Sequence, residues 1–334
     1  MNYKNILGNL IPELSSNKYN WLVTGAAGFI GSHLTEALLQ FGQNVTGLDD
    51  LSTGYYKNIA QFESNPNFNF IHGSICDTEI CEKAANGINF ILNHAALASV
   101  PGSLENPTEY LNVNSQGFIN ILESARKNKV QRVIFASSSA VYGDGEILPK
   151  IESDTDSKKF LSPYALTKYI NEICAQLWTN IYKVECVGLR YFNVFGVRQD
   201  PNGAYAAVIP KWINAVLNNK IPVVYGDGNN TRDFCAVQNV VLANFLSAFS
   251  KNAPGKIFNI GCGHEISLNE LLNLIYKIFA PEREIKAEYL PARKGDIMRS
   301  YADINSAMSE INFKPVILAE EGLKILSENL KEGN

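Results

Sequence analysis

The segment "VTGAAGFIGSHL", residues 23–34, decides the fold. The run around its start, "YNWLVTGA", is apolar and predicts a strand, and "FIGSHLTEALLQFG" has the spacing of an amphipathic helix. Between them lie Gly25, Gly28 and Gly31. Glycine permits positive φ and lets the backbone approach a pyrophosphate, while the helix N-terminus supplies free N–H groups. The GxxGxxG spacing is one residue longer than the usual fingerprint, but its strand–turn–helix context predicts a dinucleotide site.

Two acidic residues end the second predicted strand, "QNVTGLDD". Asp49 lies 18 residues after Gly31, where a carboxylate can accept hydrogen bonds from both ribose hydroxyls of a dinucleotide, and Asp50 follows it. A carboxylate there also repels a 2′-phosphate, and the next basic residue is Lys57. The sequence therefore predicts NAD as the cofactor in preference to NADP.

Short β-rich runs alternate with helical patterns through the first half of the 334 residues. Repeated βα units predict a parallel sheet with helices on both faces, a Rossmann-type doubly wound α/β fold. Residues 1–196 are predicted to form this domain, with strands at "CAVQNV" and "KIFNIGC" returning to it from about 233–262. The turn-rich remainder, 197–334, predicts a smaller C-terminal substrate-binding lobe, interleaved with the first domain.

Composition and charge narrow the class of partner. A net charge of −4 leaves no electrostatic footprint for nucleic acid. No apolar run reaches the length of a membrane span, and the start of the chain lacks the apolar region of a signal peptide. The six cysteines form no CxxC pair and the four histidines are scattered. We therefore expect a cytoplasmic protein with reduced thiols, no metal, no nucleic-acid partner and no membrane partner.

A second cluster of motifs carries candidate catalytic groups. "SPYALTK" puts Tyr164 and Lys168 four residues apart, on one face of a predicted helix. A free tyrosine has a pKa of about 10, but a neighbouring ammonium and a positive nicotinamide ring favour the phenolate. In "IFASSSAVYG", Ser138 or a neighbouring serine ends a predicted strand, at the crevice where open α/β sheets bind ligands. A hydroxyl there can orient a substrate hydroxyl for proton transfer.

The order GAAGFIG, SSSAVYG, SPYALTK and RYFNVFG spans nearly the whole chain. It resembles the extended short-chain dehydrogenase/reductases that act on nucleotide sugars, and within them it is most similar to the UDP-hexose 4-epimerases. The resemblance implies that Ser138 is the catalytic serine, Tyr164 the base and Lys168 its helper. It implies NAD contacts from Gly25, Gly28, Phe29, Ile30, Gly31, Asp49, Asp50, Ser74, Ile75, Ala95, Ala96, Asn114, Tyr164, Lys168 and Tyr191. Ser74 is a departure, since the family often has an aspartate there that contacts the adenine amine.

The same resemblance implies a UDP-sugar substrate. Arg232 and Arg293 are expected to converge on its diphosphate, because a guanidinium presents a planar fork to phosphate. The other substrate contacts that the resemblance implies are Ser103, Ser139, Asn193, Gln199, Ala207, Val208, Val224, Tyr225, Asp296 and Ser300.

The residues after the serine separate the reactions of the resembled family. Its dehydratases carry an Asp-Glu pair there, and its decarboxylases usually keep a Glu where Ala140 stands. Ser139 and Ala140 cannot act as that acid and base. The resemblance therefore implies a 4-epimerase, which oxidises the sugar at C4 to a transient ketone with hydride transfer to NAD, turns the ketone over and returns the hydride to the opposite face.

The size of the substrate is indicated near the C-terminus. Ser300 stands where many glucose-specific epimerases of the family have a tyrosine, so the resemblance implies room for an N-acetyl group at C2. We therefore expect a UDP-N-acetylglucosamine 4-epimerase that serves polysaccharide precursor synthesis. Ala98 and Gly102 stand where relatives have Gly and Arg, which leaves a uronic-acid form of the substrate open.

Two alternatives and one assembly expectation remain. The alternatives are a UDP-glucose 4-epimerase of relaxed specificity and a catalytically silent NAD- or nucleotide-sugar-binding module. The intact Ser138, Tyr164 and Lys168 speak against the silent module. The predicted helices over 110–129 and 162–182 are expected, from the family resemblance, to pair with their twins in a homodimer.

Overall fold

The computed structural model describes residues 1–145, 147–201, 207–292 and 296–332. A parallel sheet of seven strands forms its centre, in the order β11-β6-β5-β4-β1-β2-β3. This order confirms the predicted Rossmann-type fold, since it extends from β1 in both directions. The strands are β1 (Asn20–Thr24), β2 (Asn44–Asp49), β3 (Phe68–His72), β4 (Phe90–Asn93), β5 (Arg132–Ser138), β6 (Glu185–Tyr191), β7 (Val194–Phe195), β8 (Val223–Tyr225), β9 (Thr231–Arg232), β10 (Cys235–Ala236), β11 (Ile257–Ile260), β12 (Ile266–Ser267), β13 (Glu288–Leu290) and β14 (Arg299–Ser300).

Helices cover both faces of the sheet. The helices are α1 (Tyr3–Leu7), α2 (Pro12–Ser16), α3 (Phe29–Gln40), α4 (Thr78–Ala84), α5 (Val100–Glu105), α6 (Pro107–Tyr110), α7 (Gly117–Lys127), α8 (Pro163–Leu177), α9 (Val208–Leu217), α10 (Val237–Phe249), α11 (Leu268–Phe279), α12 (Asn305–Ile311) and α13 (Ala319–Glu332). On one face α3, α10 and α12 pack in a common core, and on the other α4, α7 and α8 do so. Each of the two long helices predicted over 110–129 and 162–182 contains a π-helical turn.

The first 16 residues form two helices that sequence reasoning did not identify. Tyr3, Leu7, Ile11 and Leu14 are fully buried and belong to the core that contains α3. They recur every three or four residues, which is the spacing of one helical face. Polar residues on the other faces, and the break between the two short helices, hid this pattern in the sequence.

The strand predicted at "CAVQNV" is wrong beyond its first two residues. β10 pairs with β7 in parallel, and α10 begins directly after it at Val237. Nearly every residue of α10 is buried, including Asn239 and Asn244. A helix that is buried all round has no polar face, so the helical period is missing from its sequence. The strand predicted at "KIFNIGC" is present as β11, which pairs with β6.

The C-terminal part of the chain packs around a core of its own. Trp212, Leu271, Ile275 and Tyr276, from α9 and α11, are buried in it. β9 lies between β12 and β14 in a small sheet. The division of the chain at residue 196 stays a prediction.

Two further observations concern the described part of the chain. Its helices include none with both the length and the apolar character needed to cross a membrane. All six cysteines fall within it and are free thiols.

Candidate active site

A cleft of about 590 Å³ opens at the carboxyl ends of the central strands. It is lined by residues that follow β1, β2, β4, β5 and β6, and it continues to Arg232 and Ser300 of the small sheet. The neighbours of β1 are β2 and β4, so the strand order reverses beside it. Ligands of open α/β sheets bind at this reversal.

The glycine turn forms one end of the cleft. Gly25 follows β1 with φ of +69°, and a Cβ there would lie 2.8 Å from the backbone nitrogen of Ala95. A Cβ at Gly31 would lie 2.0 Å from the carbonyl oxygen of Gly25. Neither position has room for a side chain. The turn therefore brings bare backbone to the N-terminus of α3, where N–H groups and the helix dipole favour a pyrophosphate.

Asp49 and Asp50 line the same end of the cleft. The Asp49 carboxylate accepts hydrogen bonds from the backbone N–H groups of Ala27 at 2.9 Å and Leu51 at 2.8 Å. It therefore holds the glycine turn in place as well as facing the cleft, and burial raises its pKa. Burial also acts on Asp50, but hydrogen bonds from Ser52 and Ser74 outweigh it and hold the pKa of Asp50 below its usual range.

The chemistry of this end fits NAD. Free backbone N–H groups suit the pyrophosphate, and each carboxylate oxygen can accept further hydrogen bonds from ribose hydroxyls. Ser74, expected near the adenine, lies between the lining residues Gly73 and Ile75 and contributes to the lowered pKa of Asp50. Phe29, Ile30, Ile75, Ala95 and Ala96 line the cleft as expected.

A chain of buried polar groups supports the middle of the cleft. Asn244 Nδ2 on α10 donates to the Tyr191 hydroxyl at 2.8 Å. Since that hydroxyl is the acceptor there, its own proton goes to His94 Nε2, also at 2.8 Å. Burial, with the nearby Lys168 charge, lowers the pKa of His94 to about 3, so His94 is neutral and able to accept. Sequence reasoning identified Tyr191 but missed His94 and Asn244, which are distant in the chain.

Ser138, Tyr164 and Lys168 come together at the centre of the cleft. Ser138 is the last residue of β5, and α8 begins at Pro163 with the Ser162 side chain accepting from the N–H of Ala165. This cap and the proline start the helix at a fixed residue, which places Tyr164 in its first turn. The Ser138 hydroxyl lies beside the Tyr164 hydroxyl and lowers the pKa of Tyr164.

Lys168 lies one helical turn beyond Tyr164. Its ammonium donates to the carbonyl of Ala136 at 2.9 Å and lies 5.7 Å from the centroid of the tyrosine ring. Burial lowers the pKa of Lys168 to about 8. In the protein alone burial raises the pKa of Tyr164, and the Ser138 hydrogen bond opposes that effect. Lys168 by itself therefore does not produce the predicted preference for the Tyr164 phenolate. Loss of hydration on burial raises the pKa of Tyr164 by more than the surrounding groups lower it.

The described residues at the other end of the cleft are small or neutral and polar, together with cationic side chains. Ser139, Ala140, Asn193, Gln199 and Ser300 line it as expected. Among the described lining residues the carboxylates are those of Asp49 and Asp50, at the opposite end. Among the residues that the structure describes, the cations at this end are Lys150, which sequence reasoning missed, and Arg232.

Several predicted residues lie outside the lining of this cleft. The Asn114 side chain accepts a hydrogen bond from the N–H of Leu97 at 2.8 Å and donates one to its carbonyl at 3.0 Å. It therefore holds the backbone of a lining residue in place without lining the cleft itself. Ser103 is fully buried and donates to the carbonyl of Val100 at 2.7 Å. Asp296 pairs with Arg232 at 2.8 Å. Ala207, Val208, Val224 and Tyr225 also lie outside the lining, and Arg293 lies outside the described residues.

A tyrosine and a lysine one helical turn apart, beside a strand-end serine and a dinucleotide cradle, are the groups with which short-chain dehydrogenases and reductases move a proton and a hydride. The fold and the site place the protein in that class. More narrowly, the chain belongs to the NAD dependent epimerase/dehydratase family, whose model matches residues 21–261. Its cofactor is NAD, as the acidic pair predicted.

Three known proteins illustrate this membership. A putative UDP-glucose 4-epimerase of Methanocaldococcus jannaschii is 40% identical over 94% of this chain and 99% of its own length. The structure of a UDP-N-acetylglucosamine 4-epimerase from Methanobrevibacter ruminantium, in complex with UDP-N-acetylmuramic acid, is 38% identical with a TM-score of 0.88, covering 95% of this chain and all of its own. A Thermus thermophilus UDP-glucose 4-epimerase solved with NAD is 31% identical with a TM-score of 0.83, covering 94% of this chain and 100% of its own.

Proposed function

We propose that the protein is an NAD-dependent UDP-sugar 4-epimerase that interconverts UDP-N-acetylglucosamine and UDP-N-acetylgalactosamine. One observation carries the reaction type. The cleft brings Ser138, Tyr164 and Lys168 together, while its described carboxylates, Asp49 and Asp50, lie at the ribose end. Elimination of water or loss of carbon dioxide needs further acid–base groups at the sugar, whereas epimerisation needs only the set that is present.

Each residue of the set has a distinct task. NAD, when bound, supplies the hydride acceptor and a positive ring. Tyr164 takes the proton of the C4 hydroxyl, and Ser138, whose hydroxyl lies beside that of Tyr164, aligns the substrate hydroxyl with it. Lys168 keeps a positive charge one turn away from the phenolate. After the 4-keto sugar has turned over, Tyr164 returns the proton. The reaction involves no net oxidation, because the cofactor would give back to C4 the hydride that it took up.

Gln199 supports an N-acetylated substrate. Its side-chain nitrogen donates to the carbonyl of Val194 at 3.2 Å, which orients the amide. The Gln199 side-chain oxygen is buried and has no hydrogen-bond partner among the described residues. A buried acceptor without a donor is unfavourable, and the N–H of an acetamido group is a suitable donor. Ser300 lines the same cleft with a small side chain, which leaves room for that group.

Arg232 supports recognition of the diphosphate. Its guanidinium is largely buried, and burial lowers its pKa although Asp296 opposes the effect. One arm of the fork donates to Asp296 and the other to the carbonyl of Thr231. Asn193 lines the cleft and adds an amide, and Arg293 is expected to add a second guanidinium.

A uronic-acid form of the same substrate is the second candidate, and Lys150 favours it. Lys150 lines the cleft and is 3% exposed. Its ammonium donates to the carbonyl of Gly145, and within the described ranges it forms no ion pair with a carboxylate. A buried ammonium is stabilised by an anion, and the C6 carboxylate of a hexuronic acid is one.

The test is to incubate the purified protein with NAD and each of three substrates: UDP-N-acetylglucosamine, UDP-glucose and UDP-N-acetylglucosaminuronic acid. NMR of the C4 configuration then measures the products. The proposal expects the highest kcat/KM with UDP-N-acetylglucosamine. A preference for UDP-glucose would contradict the N-acetyl assignment, and a preference for the uronic acid that Lys150→Met abolishes would establish the second candidate. Bound NAD without epimerisation of any of the three would refute the proposed function.

A further inference from the structure

The loop 196–201 joins β7 to the C-terminal lobe and carries Gln199 into the cleft. Arg198, in this loop, has φ of +68°, a left-handed backbone conformation that residues other than glycine rarely adopt. Such a conformation persists only where surrounding groups hold it. The groups behind this loop come from α3 and from the N-terminal helix α1.

A hydrogen-bonded chain runs from α1 through α3 to the loop backbone. His33 Nε2 lies 2.8 Å from the carbonyl oxygen of Val197, which can only accept, so Nε2 carries the proton. His33 Nδ1 is then the acceptor for the Tyr3 hydroxyl at 2.6 Å. Burial, with the Arg198 charge, lowers the pKa of His33 to about 3, so the ring stays neutral and this direction is maintained.

A second tie lies one turn further along α3. Glu36 forms an ion pair with Arg198, and both side chains are largely buried, at 8% and 14% exposed. Arg198 also reaches the Ser32 hydroxyl at 3.4 Å. A buried ion pair contributes little net stability, because removing two charges from water costs about as much as their attraction returns. The clearer consequence of the Glu36–Arg198 pair is geometric. It fixes the side chain of Arg198, whose backbone has the left-handed conformation.

α1 completes the arrangement. The backbone N–H of Tyr3 donates to Gln40 Oε1 on α3 at 2.7 Å, and the Tyr3 side chain is fully buried. His33, Glu36 and Gln40 recur every three or four residues, so one face of α3 meets both α1 and the loop. The opposite end of the loop is tied at Asp200, which accepts from the Tyr55 hydroxyl at 2.7 Å.

We propose that Tyr3, His33, Glu36 and Arg198 are positioning residues that set the loop 196–201, and through it the amide of Gln199, for recognition of the substituent at C2 of the sugar. This inference rests on the proposed function. The four residues act from behind the loop, while Gln199 meets the substrate. The N-terminal helix thereby takes part in substrate selection without contacting the cleft.

The first test is Tyr3→Phe, which removes one hydroxyl and keeps the buried ring. The expected result is about a fivefold fall in kcat/KM for UDP-N-acetylglucosamine, which corresponds to the free energy of one hydrogen bond. The fall should arise from a higher KM and not from a lower kcat. The kcat/KM for UDP-glucose is expected to stay within about twofold, and NAD affinity to stay unchanged. A double variant, Glu36→Gln with Arg198→Met, removes both charges of this pair, and the side-chain oxygen of the introduced glutamine can still accept from the Met1 ammonium that lies 3.2 Å from Glu36. The double variant is expected to lower kcat/KM for UDP-N-acetylglucosamine by about tenfold relative to kcat/KM for UDP-glucose.

A matched control breaks an ion pair at the amino ends of two central strands, away from the cleft at their carboxyl ends. Glu185→Gln removes the partner of Arg132, 2.5 Å away at the start of β5 and β6. This variant is expected to lose thermal stability without a change in the ratio of the two kcat/KM values. If it shifts the ratio as Tyr3→Phe does, general destabilisation explains the effect and the inference is wrong.

A double-mutant cycle separates this inference from the proposed function. Tyr3→Phe is measured in the wild-type background and in the Gln199→Ala background, with whichever UDP-sugar the wild type epimerises. If the network acts through Gln199, the effect of Tyr3→Phe disappears when Gln199 is absent. Equal effects in both backgrounds would overturn the inference even if the N-acetylated substrate is confirmed. A wild type that epimerises only the N-acetylated uronic acid would refute the proposed function and leave the cycle decisive, since that sugar also carries the C2 acetamido group. A wild type that epimerises only UDP-glucose would refute both the proposed function and this inference.

Discussion

The hydroxyl of Ser138, at the end of β5, lies beside the hydroxyl of Tyr164 in the first turn of α8 and lowers the pKa of Tyr164. This contact joins the group proposed to orient the substrate to the group proposed to take its proton. Tyr164→Phe keeps the buried ring and removes only the acid–base group. We expect it to lower kcat by at least about 100-fold, the usual contribution of a general base. Turnover assays and NAD binding measure the effect, and a loss below tenfold would contradict the assignment.

The pH dependence of turnover follows from the same contact. Tyr164 must be deprotonated to act as a base, and burial raises its pKa. We therefore expect the rate to rise with pH from neutral into the alkaline range. The Ser138 hydrogen bond lowers the pKa of Tyr164, so Ser138→Ala should move the rise to higher pH as well as lower the maximum rate. A pH–rate profile of both proteins tests this, and an unshifted profile in the variant would count against the role of Ser138.

Ser300 tests the size of the sugar site. Its small side chain lines the cleft, so Ser300→Tyr fills space next to the sugar. We expect turnover of UDP-N-acetylglucosamine to fall by at least about tenfold, the cost of about 1.4 kcal/mol of lost binding, while UDP-glucose is spared. Ser300→Ala is the matched control, because it removes the hydroxyl without adding volume. Equal losses on both substrates in the tyrosine variant would exclude a size gate.

The buried carboxyl of Asp233, next to Arg232 in the chain, makes the free energy of unfolding depend on pH. It is fully buried and accepts from the N–H groups of Cys262 at 2.7 Å, Gly263 at 3.0 Å and Ala302 at 3.2 Å. Asp233→Asn turns a donor toward these N–H groups. We expect it to lower the free energy of unfolding by about 1–3 kcal/mol at pH 7.

The sign of the pH dependence can be worked out for Asp233. Burial raises its pKa to about 6, although the N–H groups oppose the effect. A carboxyl whose folded pKa exceeds the unfolded value, about 4, stabilises the fold below that value and loses the contribution as pH rises through about 6. The stability gap between wild type and Asp233→Asn should therefore widen as pH falls from 6 to 4. Denaturant unfolding at several pH values measures it, and a gap that narrows would contradict the assignment.

The exposed face of α8 tests the expected homodimer. Leu166, Ile173 and Leu177 are 39%, 51% and 45% exposed, and their spacing puts them on one face of the helix. Ile181, in the π-helical turn that follows, is 60% exposed. We expect light scattering to give twice the mass of the chain.

A charge on this face should dissociate the dimer. Ile173→Asp buries a carboxylate in the expected interface, so the mass should fall to that of one chain. Ile285→Asp is the matched control, since Ile285 is equally exposed, at 50%, and lies in the C-terminal part of the chain. A monomeric wild type, or a dimer that survives Ile173→Asp, would place the interface elsewhere.

Contiguous residues carried most of what could be predicted. The glycine turn, the acidic pair at Asp49 and the spacing of Tyr164 and Lys168 each lie within a few residues, so local geometry decides what they can do. Alternating βα patterns were sufficient for the Rossmann fold, because a parallel strand pair requires a helical crossover. The strand predicted at "CAVQNV" was wrong because α10, which begins there, is buried on all sides. Such a helix has no polar face, so its sequence lacks the helical period.

The sequence by itself determined the fold class, the cofactor and the proposed catalytic set, because those follow from short motifs and their order. Only the tertiary structure decided that His94, Tyr191 and Asn244 form one chain, and that α1 reaches the loop of Gln199 through α3. Tyr3 lies 30 residues from His33, and His33 lies 164 residues from Val197. Hydrogen bonds between such distant residues exist only after the sheet has brought its helices together, so no local pattern in the sequence could indicate them.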